Sequence, residues 1–339
     1  MRIAVTGAGG YIGSQLVKDL LSKGHTVIGI DRYFFGTQVL NNEISNKDFH
    51  LIKKDIRDIS HLDLEKVDIL CDLACLSNDP SGEINEDLTY QINRDGRINV
   101  AVNAKKAGVK KYILSSSCSV YGEGLDENLT ELSKTNPISA YAKSTLQAEN
   151  ETFGLANNNF AVTALRNATV FGLSKRMRFD LVVNLMTLSA FQKRRIIVMG
   201  GGLQWRPLVH VSDVSAAFIK VIESDEEKIN QEIFNIGLEN YQIKQIAYMV
   251  RDNFSLEVDI EIAPDDADKR NYKVNFEKAR EVIGFAANKS VGFGVDEILN
   301  ALRKDTIETG IKTVTVEWYK HILDANNLLK EITLNGRVL

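Results

Sequence analysis

Residues 2–13 read RIAVTGAGGYIG, a short apolar run followed by a glycine-rich turn. The apolar run Arg2–Thr6 is typical of a buried strand. Gly7, Gly10 and Gly13 permit a tight turn, close approach of the backbone to a pyrophosphate, and close packing of a helix on the strand. The N–H groups at the start of that helix would face phosphate oxygens. This stretch therefore predicts a dinucleotide-binding loop rather than a plain structural turn.

A second strand-like run, Thr26–Asp31, follows the predicted helix Tyr11–Ser22 and ends in a carboxylate. Asp31 lies eighteen residues beyond Gly13. A carboxylate at this place can accept hydrogen bonds from both ribose hydroxyls and would repel a 2′-phosphate, which favours NAD over NADP. The neighbouring Arg32 weakens that preference slightly. The predicted cofactor is NAD.

Strands and helices are predicted to alternate through the first half of the chain. Further strand-like runs are Asp68–Leu73, Tyr112–Ser115 and Ala161–Arg166. Ile84–Ala107 and Tyr141–Ala156 have helical length and periodicity. Such alternation favours a mostly parallel sheet with helices on both faces.

Beyond Gly172 a helix-like stretch (Leu181–Phe191) leads into the strand-like run RRIIVMG, and Val211–Ile222 and Glu232–Ile236 resemble a helix and a strand that return to the first sheet. From Lys244 onward the chain is predicted to be mainly helical around one strand, Leu256–Ile262. We therefore expect an α/β fold, a Rossmann-type doubly wound parallel sheet with a smaller, mainly helical C-terminal substrate domain. The predicted boundaries are 1–171 for the NAD-binding Rossmann domain, with the returning segment 208–237, and 172–207 and 238–339 for the substrate domain.

Composition narrows the class of protein. Forty-one basic and forty-five acidic residues among 339 give a net charge of −4, which disfavours nucleic acid as a partner. The sequence has no apolar run of the length that a membrane span needs, and its N-terminus lacks the layout of a signal peptide. Three cysteines and five scattered histidines predict a reduced, cytoplasmic protein with no metal site.

Together these features resemble the extended short-chain dehydrogenase/reductase family, in the branch that modifies nucleotide-linked sugars, over nearly the whole chain. In that family the positions of Asp55 and Ile56 contact adenine, and those of Leu73 and Ala74 lie under the ribose and pyrophosphate. The resemblance implies an NAD-dependent oxidoreductase. The predicted cofactor-binding residues are Gly7, Gly10, Tyr11, Ile12, Gly13, Asp31, Arg32, Asp55, Ile56, Leu73, Ala74 and Asn167.

Two side chains match the family's catalytic pair. Residues 115–122 read SSSCSVYG, similar to the family's serine motif at a strand end, and Tyr141 follows Ser117 by 24 residues. In the family, the residue at the position of Ser117 hydrogen-bonds the reacting sugar hydroxyl. The tyrosine takes or returns its proton while hydride moves to or from nicotinamide. The alternative is a serine-rich turn beside a core tyrosine.

The sequence departs from the family at the expected lysine. The family pattern is Tyr-x-x-x-Lys, whereas Tyr141 is followed four residues later by Thr145. Lys143 cannot replace the lysine, because two helical positions are roughly 200° apart. The family lysine binds the nicotinamide ribose and lowers the pKa of the tyrosine. Thr145 is predicted to hydrogen-bond the ribose and is counted among the catalytic residues.

The missing lysine leaves two outcomes open. Free tyrosine titrates near 10, so its ionisation at pH 7 costs about 4 kcal/mol. The protein is then either a slow or single-direction oxidoreductase or a binding protein without catalysis. We favour the oxidoreductase, because the cofactor loop, Ser117 and Tyr141 are all present.

The resemblance also limits the reaction. Family 4,6-dehydratases carry Asp-Glu where this chain has Cys118 and Ser119. Neither side chain can supply the acid and base for loss of water at neutral pH, so dehydration is not expected. Two reactions remain: a 4-epimerase that oxidises and re-reduces the sugar, and a dehydrogenase that releases the ketone.

Residues of the second half resemble the family's nucleotide-diphosphate ligands. Asn184 and Leu185 match an Asn-Leu pair, Arg206 matches an arginine before a strand, and Asp268-Lys269-Arg270 resembles a late Asp-x-Arg. Guanidinium groups suit phosphate oxygens because of their planar fork. The predicted substrate-binding residues are Ser119, Thr169, Arg176, Arg178, Asn184, Leu185, Arg206 and Arg270.

The segments SKRMRFDLVVN and QWRPLVHV, with the missing lysine, resemble NAD-dependent 4-dehydrogenases of GDP-linked heptoses in capsular polysaccharide synthesis. This resemblance implies a GDP-linked substrate, a 4-keto product, and reoxidation of retained NADH by a 2-keto acid. It also implies a homodimer or dimer of dimers that pairs through the two predicted helices beside the catalytic tyrosine.

Overall fold

A computed structural model describes residues 1–124, 127–264 and 270–338 of the chain. Its strands are β1 (Arg2–Thr6), β2 (Thr26–Asp31), β3 (Phe49–Lys53), β4 (Ile69–Asp72), β5 (Lys111–Ser117), β6 (Ala161–Asn167), β7 (Thr169–Phe171), β8 (Arg195–Val198), β9 (Trp205–His210), β10 (Glu232–Ile236), β11 (Glu239–Gln242) and β12 (Asp259–Ile262). Its helices are α1 (Tyr11–Ser22), α2 (Asn41–Ile44), α3 (Asp79–Gly82), α4 (Glu86–Tyr90), α5 (Arg97–Ala107), α6 (Ala140–Phe153), α7 (Val182–Lys193), α8 (Val211–Glu223), α9 (Glu226–Ile229), α10 (Ile243–Asp252), α11 (Glu277–Ile283), α12 (Val291–Arg303) and α13 (Thr315–Ile332).

Seven parallel strands form the central sheet, in the order β10-β6-β5-β4-β1-β2-β3. β1, β2 and β10 begin and end at the residues predicted from the sequence. Because strand order reverses at β1, a crevice opens there outside the carboxyl ends of the strands. The predicted Rossmann-type parallel sheet is confirmed, and its crevice is where a cofactor is expected.

Apolar side chains cover both faces of the sheet. One face is buried under α1 and α8, where Leu16 and Phe218 are inaccessible to solvent. On the other face, Val100 of α5 belongs to the same buried cluster as Leu70 and Tyr112 of the sheet. Strands covered on both faces explain why β1 and β4 are nearly continuous apolar runs rather than alternating ones.

Two details of the first half differ from the sequence prediction. β3 was not predicted, because it is an edge strand in which only Phe49 is buried. The predicted helix Ile84–Ala107 is instead α4, a π-helical turn over Gln91–Gly96, and α5. Within that turn the buried Asn93 accepts a hydrogen bond from Leu76 N (2.7 Å) and donates one to Leu76 O (3.1 Å). These bonds tie the π-helical turn to the loop that follows β4.

The rest of the chain forms a second cluster of elements beside the crevice. β7, β9 and β11 make a three-stranded sheet, and β8 pairs with β12. α7, α10 and α12 share one apolar core, which includes Val183, Ile246 and Leu299. From α10 onward the chain is mainly helical around the short strand β12, as expected.

The last helix, α13, returns to the first half of the chain. The indole Nε1 of Trp318 donates a hydrogen bond to Phe34 O (2.8 Å), just after β2. The ring of Tyr319 lies 6.0 Å from that of Phe34 and 5.8 Å from that of Phe35, measured between ring centroids. α13 therefore reaches the cofactor side of the crevice. No helix in the described part of the chain is long and apolar enough to cross a membrane.

Candidate active site

One cavity occupies the crevice at the carboxyl ends of the parallel strands. It collects most of the residues that the sequence singled out, from segments far apart in the chain. Those that line it are Gly7, Gly10, Tyr11, Ile12, Gly13, Asp31, Arg32, Asp55, Ile56, Leu73, Ala74, Ser117, Ser119, Tyr141, Asn167, Thr169, Arg176, Arg178 and Arg270. Four predicted site residues do not line it, namely Thr145, Asn184, Leu185 and Arg206.

The glycine-rich loop fits a pyrophosphate because it has no room for side chains. Gly7 has a φ of 68° and packs against the backbone of Leu73 and Ala74. A Cβ on Gly13 would overlap the carbonyl oxygen of Gly7. The first turn of α1 thus packs directly on the end of β1, with its N–H groups at the cavity.

Asp31 presents its carboxylate at the end of β2. One oxygen accepts a hydrogen bond from Gly9 N (3.0 Å) and the other from Tyr33 N (2.7 Å). These bonds fix the orientation of the carboxylate, and each oxygen keeps a further lone pair for a ribose hydroxyl. Burial raises the pKa of Asp31, while the backbone hydrogen bonds and the Arg176 guanidinium lower it.

Arg32 does not stand free beside Asp31. Its guanidinium lies 3.0 Å from the carboxylate of Asp55, which also pairs with Arg57 at 2.8 Å. The hydrogen bond from Arg57 lowers the pKa of Asp55 to about 2. Since Asp55 already engages Arg32, a 2′-phosphate would have to compete for that guanidinium, and the arrangement fits NAD better than NADP.

Ser117 and Tyr141 meet in the cavity. The Ser117 hydroxyl accepts hydrogen bonds from Ser119 N (3.2 Å) and Ser119 Oγ (2.9 Å) at the end of β5. Tyr141 lies in the first turn of α6, whose N-cap Ser139 accepts a hydrogen bond from Ala142 N. The cap fixes where the helix begins, and it therefore fixes where the phenol enters the cavity.

The pKa of Tyr141 is raised above its usual value, first by burial and also by Cys75 and Asp79. A hydrogen bond with Ser117 and the charge of Arg97 act in the opposite direction. Lys143 is exposed and takes no part in this environment. Ionisation of Tyr141 therefore needs help from a positive charge.

Thr145 is buried within α6, behind the cavity wall rather than in it. Its hydroxyl has no hydrogen-bond partner among the described residues. The Thr145 hydroxyl therefore does not reach the cavity, where its contact with the ribose was predicted.

Asn167 ends β6 and lines the cavity. Its amide nitrogen donates to Ser115 Oγ (3.0 Å) and Ser116 O (3.3 Å), whereas its Oδ1 is buried without a partner among the described residues. An unsatisfied buried acceptor in a cavity is free to bind a ligand donor. With the glycine cradle and Asp31, this atom completes a set of residues that fits NAD.

Arg176 lies at the cofactor side of the cavity rather than in a separate sugar pocket. Its guanidinium carbon is 3.6 Å from the centroid of the Phe35 ring, and its Nη2 donates to Thr315 Oγ1 (2.9 Å). Burial lowers the pKa of Arg176 to about 10. Arg176, which was predicted to bind substrate, therefore lies near enough to Asp31 for its charge to act on that carboxylate.

Arg178 and Arg270 line another part of the cavity. Arg178 donates two hydrogen bonds to Asp180 (3.0 and 2.7 Å) and one to Ser77 Oγ (2.9 Å). Arg270 pairs with Asp79, which also lines the cavity. Both guanidinium groups are thus held in the cavity wall by carboxylates. The Asp268-Lys269 part of the predicted Asp-x-Arg motif falls outside the described residues.

Three of the predicted substrate-binding residues do not line the cavity. Asn184 is fully buried and bonds Tyr11 OH (3.1 Å), Arg178 O (2.9 Å) and Gly172 N (3.0 Å). Leu185 is 51% exposed on α7 and contacts no part of the cavity. Arg206 donates to the backbone oxygen of Arg270. Asn184 and Arg206 therefore support cavity residues rather than line the cavity.

Sequence reasoning missed the residues that reach the cavity from loops and from the C-terminal helix. These are chiefly Phe34, Phe35, Asp79, Thr315 and Tyr319. None carries a recognisable motif, since each is placed by a long-range contact. Among the described residues no cluster of histidine, cysteine and carboxylate side chains could hold a metal ion.

Comparison with known proteins identifies the family of this chain. The model of the NAD dependent epimerase/dehydratase family matches residues 3–237. The chain is 30% identical to UDP-glucuronic acid decarboxylase 6 of Arabidopsis thaliana, over 84% of each chain.

Two solved structures share the fold. The UDP-glucose 4-epimerase of Thermotoga maritima superposes with a TM-score of 0.79 at 25% identity, covering 91% of this chain and 100% of its own. The UDP-glucuronic acid 4-epimerase of Bacillus cereus, solved with UDP-glucuronic acid and NAD, gives a TM-score of 0.80 at 23% identity, covering 90% and 99%. The chain thus belongs to the NAD-dependent epimerase/dehydratase family of the extended short-chain dehydrogenases/reductases, and its cofactor is NAD.

Proposed function

We propose that this enzyme oxidises the C4 hydroxyl of a nucleotide-linked sugar and releases the 4-keto sugar. The observation that carries the proposal is the meeting of Ser117 and Tyr141 in the same cavity as the glycine loop and Asp31. Bound NAD supplies the hydride acceptor. A catalytic hydroxyl pair beside a dinucleotide site is what oxidation of a sugar alcohol requires.

In this proposal the chain's own residues bind the hydroxyl and move its proton. Ser117 is held by Ser119 so that its hydroxyl faces the cavity and can hydrogen-bond the C4 oxygen. Tyr141 accepts the proton of that hydroxyl as general base, a role that typically contributes about 10²–10⁴-fold to rate. Cys118 is buried and donates to Arg166 O, so the site lacks an acid–base pair at the dehydratase positions.

The diphosphate of the substrate is proposed to lie against Arg178 and Arg270. Both line the cavity and both come from segments beyond residue 171. This supports the proposal that segments 172–207 and 238–339 form the nucleotide-sugar-binding part.

A 4-epimerase with retained NAD is the second candidate, and the comparisons favour it. The relatives described above are a decarboxylase and two 4-epimerases named for UDP-linked sugars. Release of the ketone is instead favoured by the presence of Thr145 in place of the family lysine. Without that lysine, proton transfer at Tyr141 is expected to differ from proton transfer in these enzymes. The GDP-linked heptose therefore remains a proposal that rests on the sequence resemblance alone, and uridine nucleotides deserve equal weight in the test.

The test uses the purified protein with the cofactor it retains. UDP-, GDP-, dTDP- and CDP-linked sugars are added one at a time with and without a 2-keto acid, and the near-ultraviolet band of reduced nicotinamide is followed. A band that one sugar raises and the keto acid discharges supports net oxidation. A sugar converted to its 4-epimer without change in the band shows the epimerase instead. Tyr141→Phe serves as the control, since it should bind each sugar without either reaction.

A further inference from the structure

Residues 77–83, between β4 and α4, pack against the start of α6, the helix that carries Tyr141. A Cβ on Gly82 would lie 2.9 Å from the Cβ of Tyr141, so a larger residue there would push the two backbones apart. The side chain of Glu83 accepts a hydrogen bond from Ala140 N (2.9 Å). The segment 77–83 therefore makes direct contact with the turn that places the catalytic phenol.

Asp79 joins this turn to a cation on the substrate side of the cavity. One oxygen of its carboxylate accepts a hydrogen bond from the hydroxyl of Ser139, the N-cap of α6, and the other accepts one from Arg270 Nη1. The Ser139 hydroxyl in turn accepts a hydrogen bond from Ala142 N (3.1 Å). Ser139 is buried and the side chain of Asp79 is only 16% exposed, so water competes little for these charge-assisted bonds. One carboxylate thus connects Arg270 with the cap of the catalytic helix.

The same segment is tied to Arg178, the other cation on this side. Ser77 Oγ accepts a hydrogen bond from Arg178 Nη1 (2.9 Å), and the Asn78 amide donates one to Asp180 (2.9 Å), the carboxylate that pairs with Arg178. Asn78 has a φ of 84° and a ψ of 156°, a conformation that residues other than glycine rarely adopt. Such strain persists where the surrounding structure imposes it, which is common at functional sites. The segment 77–83 is therefore held between both substrate-side arginines and α6.

Helix capping alone does not account for Asp79. The Ser139 hydroxyl satisfies the first turn of α6 by itself, since an N-cap serine needs no carboxylate behind it. A diphosphate that binds Arg270 is an anion, so it competes with Asp79 for the same guanidinium. A change in the pairing of Arg270 is then passed to Asp79 and, through Ser139, to the first turn of α6.

We propose that Asp79 is a positioning residue that couples the binding of the substrate's diphosphate at Arg270 to the placement of the Tyr141 phenol. The coupling rests on the proposed function, because that function assigns Arg270 to the diphosphate. Asp79 acts through Arg270 and Ser139 rather than on the reacting hydroxyl. The phenol therefore has one placement in the protein without nucleotide and another once a nucleoside diphosphate is bound.

The experiment uses nucleoside diphosphates and no sugar. A fluorinated tyrosine is incorporated at position 141 of the NAD-bound protein, and its fluorine NMR resonance reports the surroundings of the phenol. UDP, GDP, dTDP and CDP are added one at a time, and each titration gives both a Kd and the change in the resonance at saturation. A nucleotide that binds should move the resonance in the parent chain. Arg270→Gln should raise its Kd about tenfold or more, through loss of a charge-assisted bond.

Asp79→Asn separates the two contacts of the carboxylate. The amide oxygen can still accept from Ser139, whereas the amide nitrogen cannot accept from the guanidinium of Arg270. We expect the Kd of the nucleotide to rise about tenfold and the change in the resonance at saturation to become smaller. Glu83→Gln is the matched control, because it also removes a negative charge from the segment but keeps an acceptor for Ala140 N. It should preserve both the Kd and the change in the resonance.

Substitutions at Ser139 test the other end of the link. Ser139→Ala leaves Asp79 able to pair with Arg270 but removes its bond to α6, so the nucleotide should bind with the parent Kd and move the resonance less. Ser139→Thr keeps the hydroxyl and should restore the full change. A residue that only stabilises the fold would lower the melting temperature without separating affinity from the response of the resonance. If Asp79→Asn does not fold, the two Ser139 variants decide the question.

The outcomes distinguish the coupling from the proposed function. A parent resonance that no bound nucleotide moves, an equal change in Asp79→Asn and the parent, or an equal change in Ser139→Ala and Ser139→Thr overturns the coupling and leaves the proposed function standing. A Kd that Arg270→Gln leaves unchanged, or a failure of all four nucleotides to bind, refutes the placement of the diphosphate in the proposed function and the coupling with it.

Discussion

The two sides of the cavity are built in different ways. The cofactor side is centred on the glycine loop and Asp31, at the ends of adjacent strands, and later segments add only its outer wall. The catalytic and substrate side combines Tyr141, Arg178 and Arg270 from segments far apart in the chain. The comparison teaches that a site made of backbone can be read from a short motif, whereas a site made of converging side chains depends on the whole fold.

The strongest test of the catalytic side is Tyr141→Phe. We expect kcat to fall by about 10²–10⁴-fold, because the general base is lost. The affinity for NAD, measured by fluorescence titration, should stay unchanged because the cofactor side keeps all its contacts. Equal losses in NAD affinity and in kcat would mean that the two sides are not separable.

Arg176→Met tests where the boundary between the sides lies. Methionine can keep the packing on Phe35 but removes the charge beside Asp31. We expect the Kd for NAD to rise about tenfold, the loss of a charge-assisted interaction, with little change in the KM for the sugar. A change confined to the KM for the sugar would mean that Arg176 acts on the substrate side instead. Leu185→Ala, exposed on α7, is the control that should alter neither constant.

Thr145→Lys tests the activation of Tyr141 directly. A lysine one turn after Tyr141 should lower the pKa of the phenol and extend activity to lower pH, with the rate at pH 7 rising about tenfold for each pH unit by which that pKa falls. Thr145→Val is the matched control, because it removes the unpartnered hydroxyl without adding charge. If the rate and its pH profile are the same in all three proteins, positive charge does not limit the reaction.

Asp55→Asn should give the smallest effect, and we follow it through the free energy of unfolding. The pKa of Asp55 is lowered to about 2 from 3.8, so its pairing stabilises the folded state above about pH 4 and is lost as the pH falls towards 2. We expect the variant to lose about 1–2 kcal/mol of unfolding free energy at pH 7, after allowance for solvent screening. Urea unfolding at pH 7 and pH 3 should show a smaller difference in the variant than in the parent. Asp48→Asn, at a partly exposed position, should leave that difference intact.

The sequence predicted the parallel sheet and the glycine loop, because these depend on local periodicity and on one motif, and it assigned Ser117 and Tyr141 by resemblance to the family's catalytic pair. It did not predict β3, whose edge position leaves only Phe49 buried. It assigned Asn184 and Leu185 to the substrate by resemblance to a family Asn-Leu pair, whereas Asn184 is buried against Tyr11 and Leu185 is exposed on α7.

The contact between α13 and the loop after β2 sets an order for completing the cavity during synthesis. Gly7 and Asp31 leave the ribosome early, but Thr315 and Tyr319, which line the same cavity, follow almost three hundred residues later. Domains fold as their residues emerge, so the central sheet can assemble well before its cofactor pocket has its last wall. A chain stopped before α13 would therefore present a folded sheet with an open dinucleotide site.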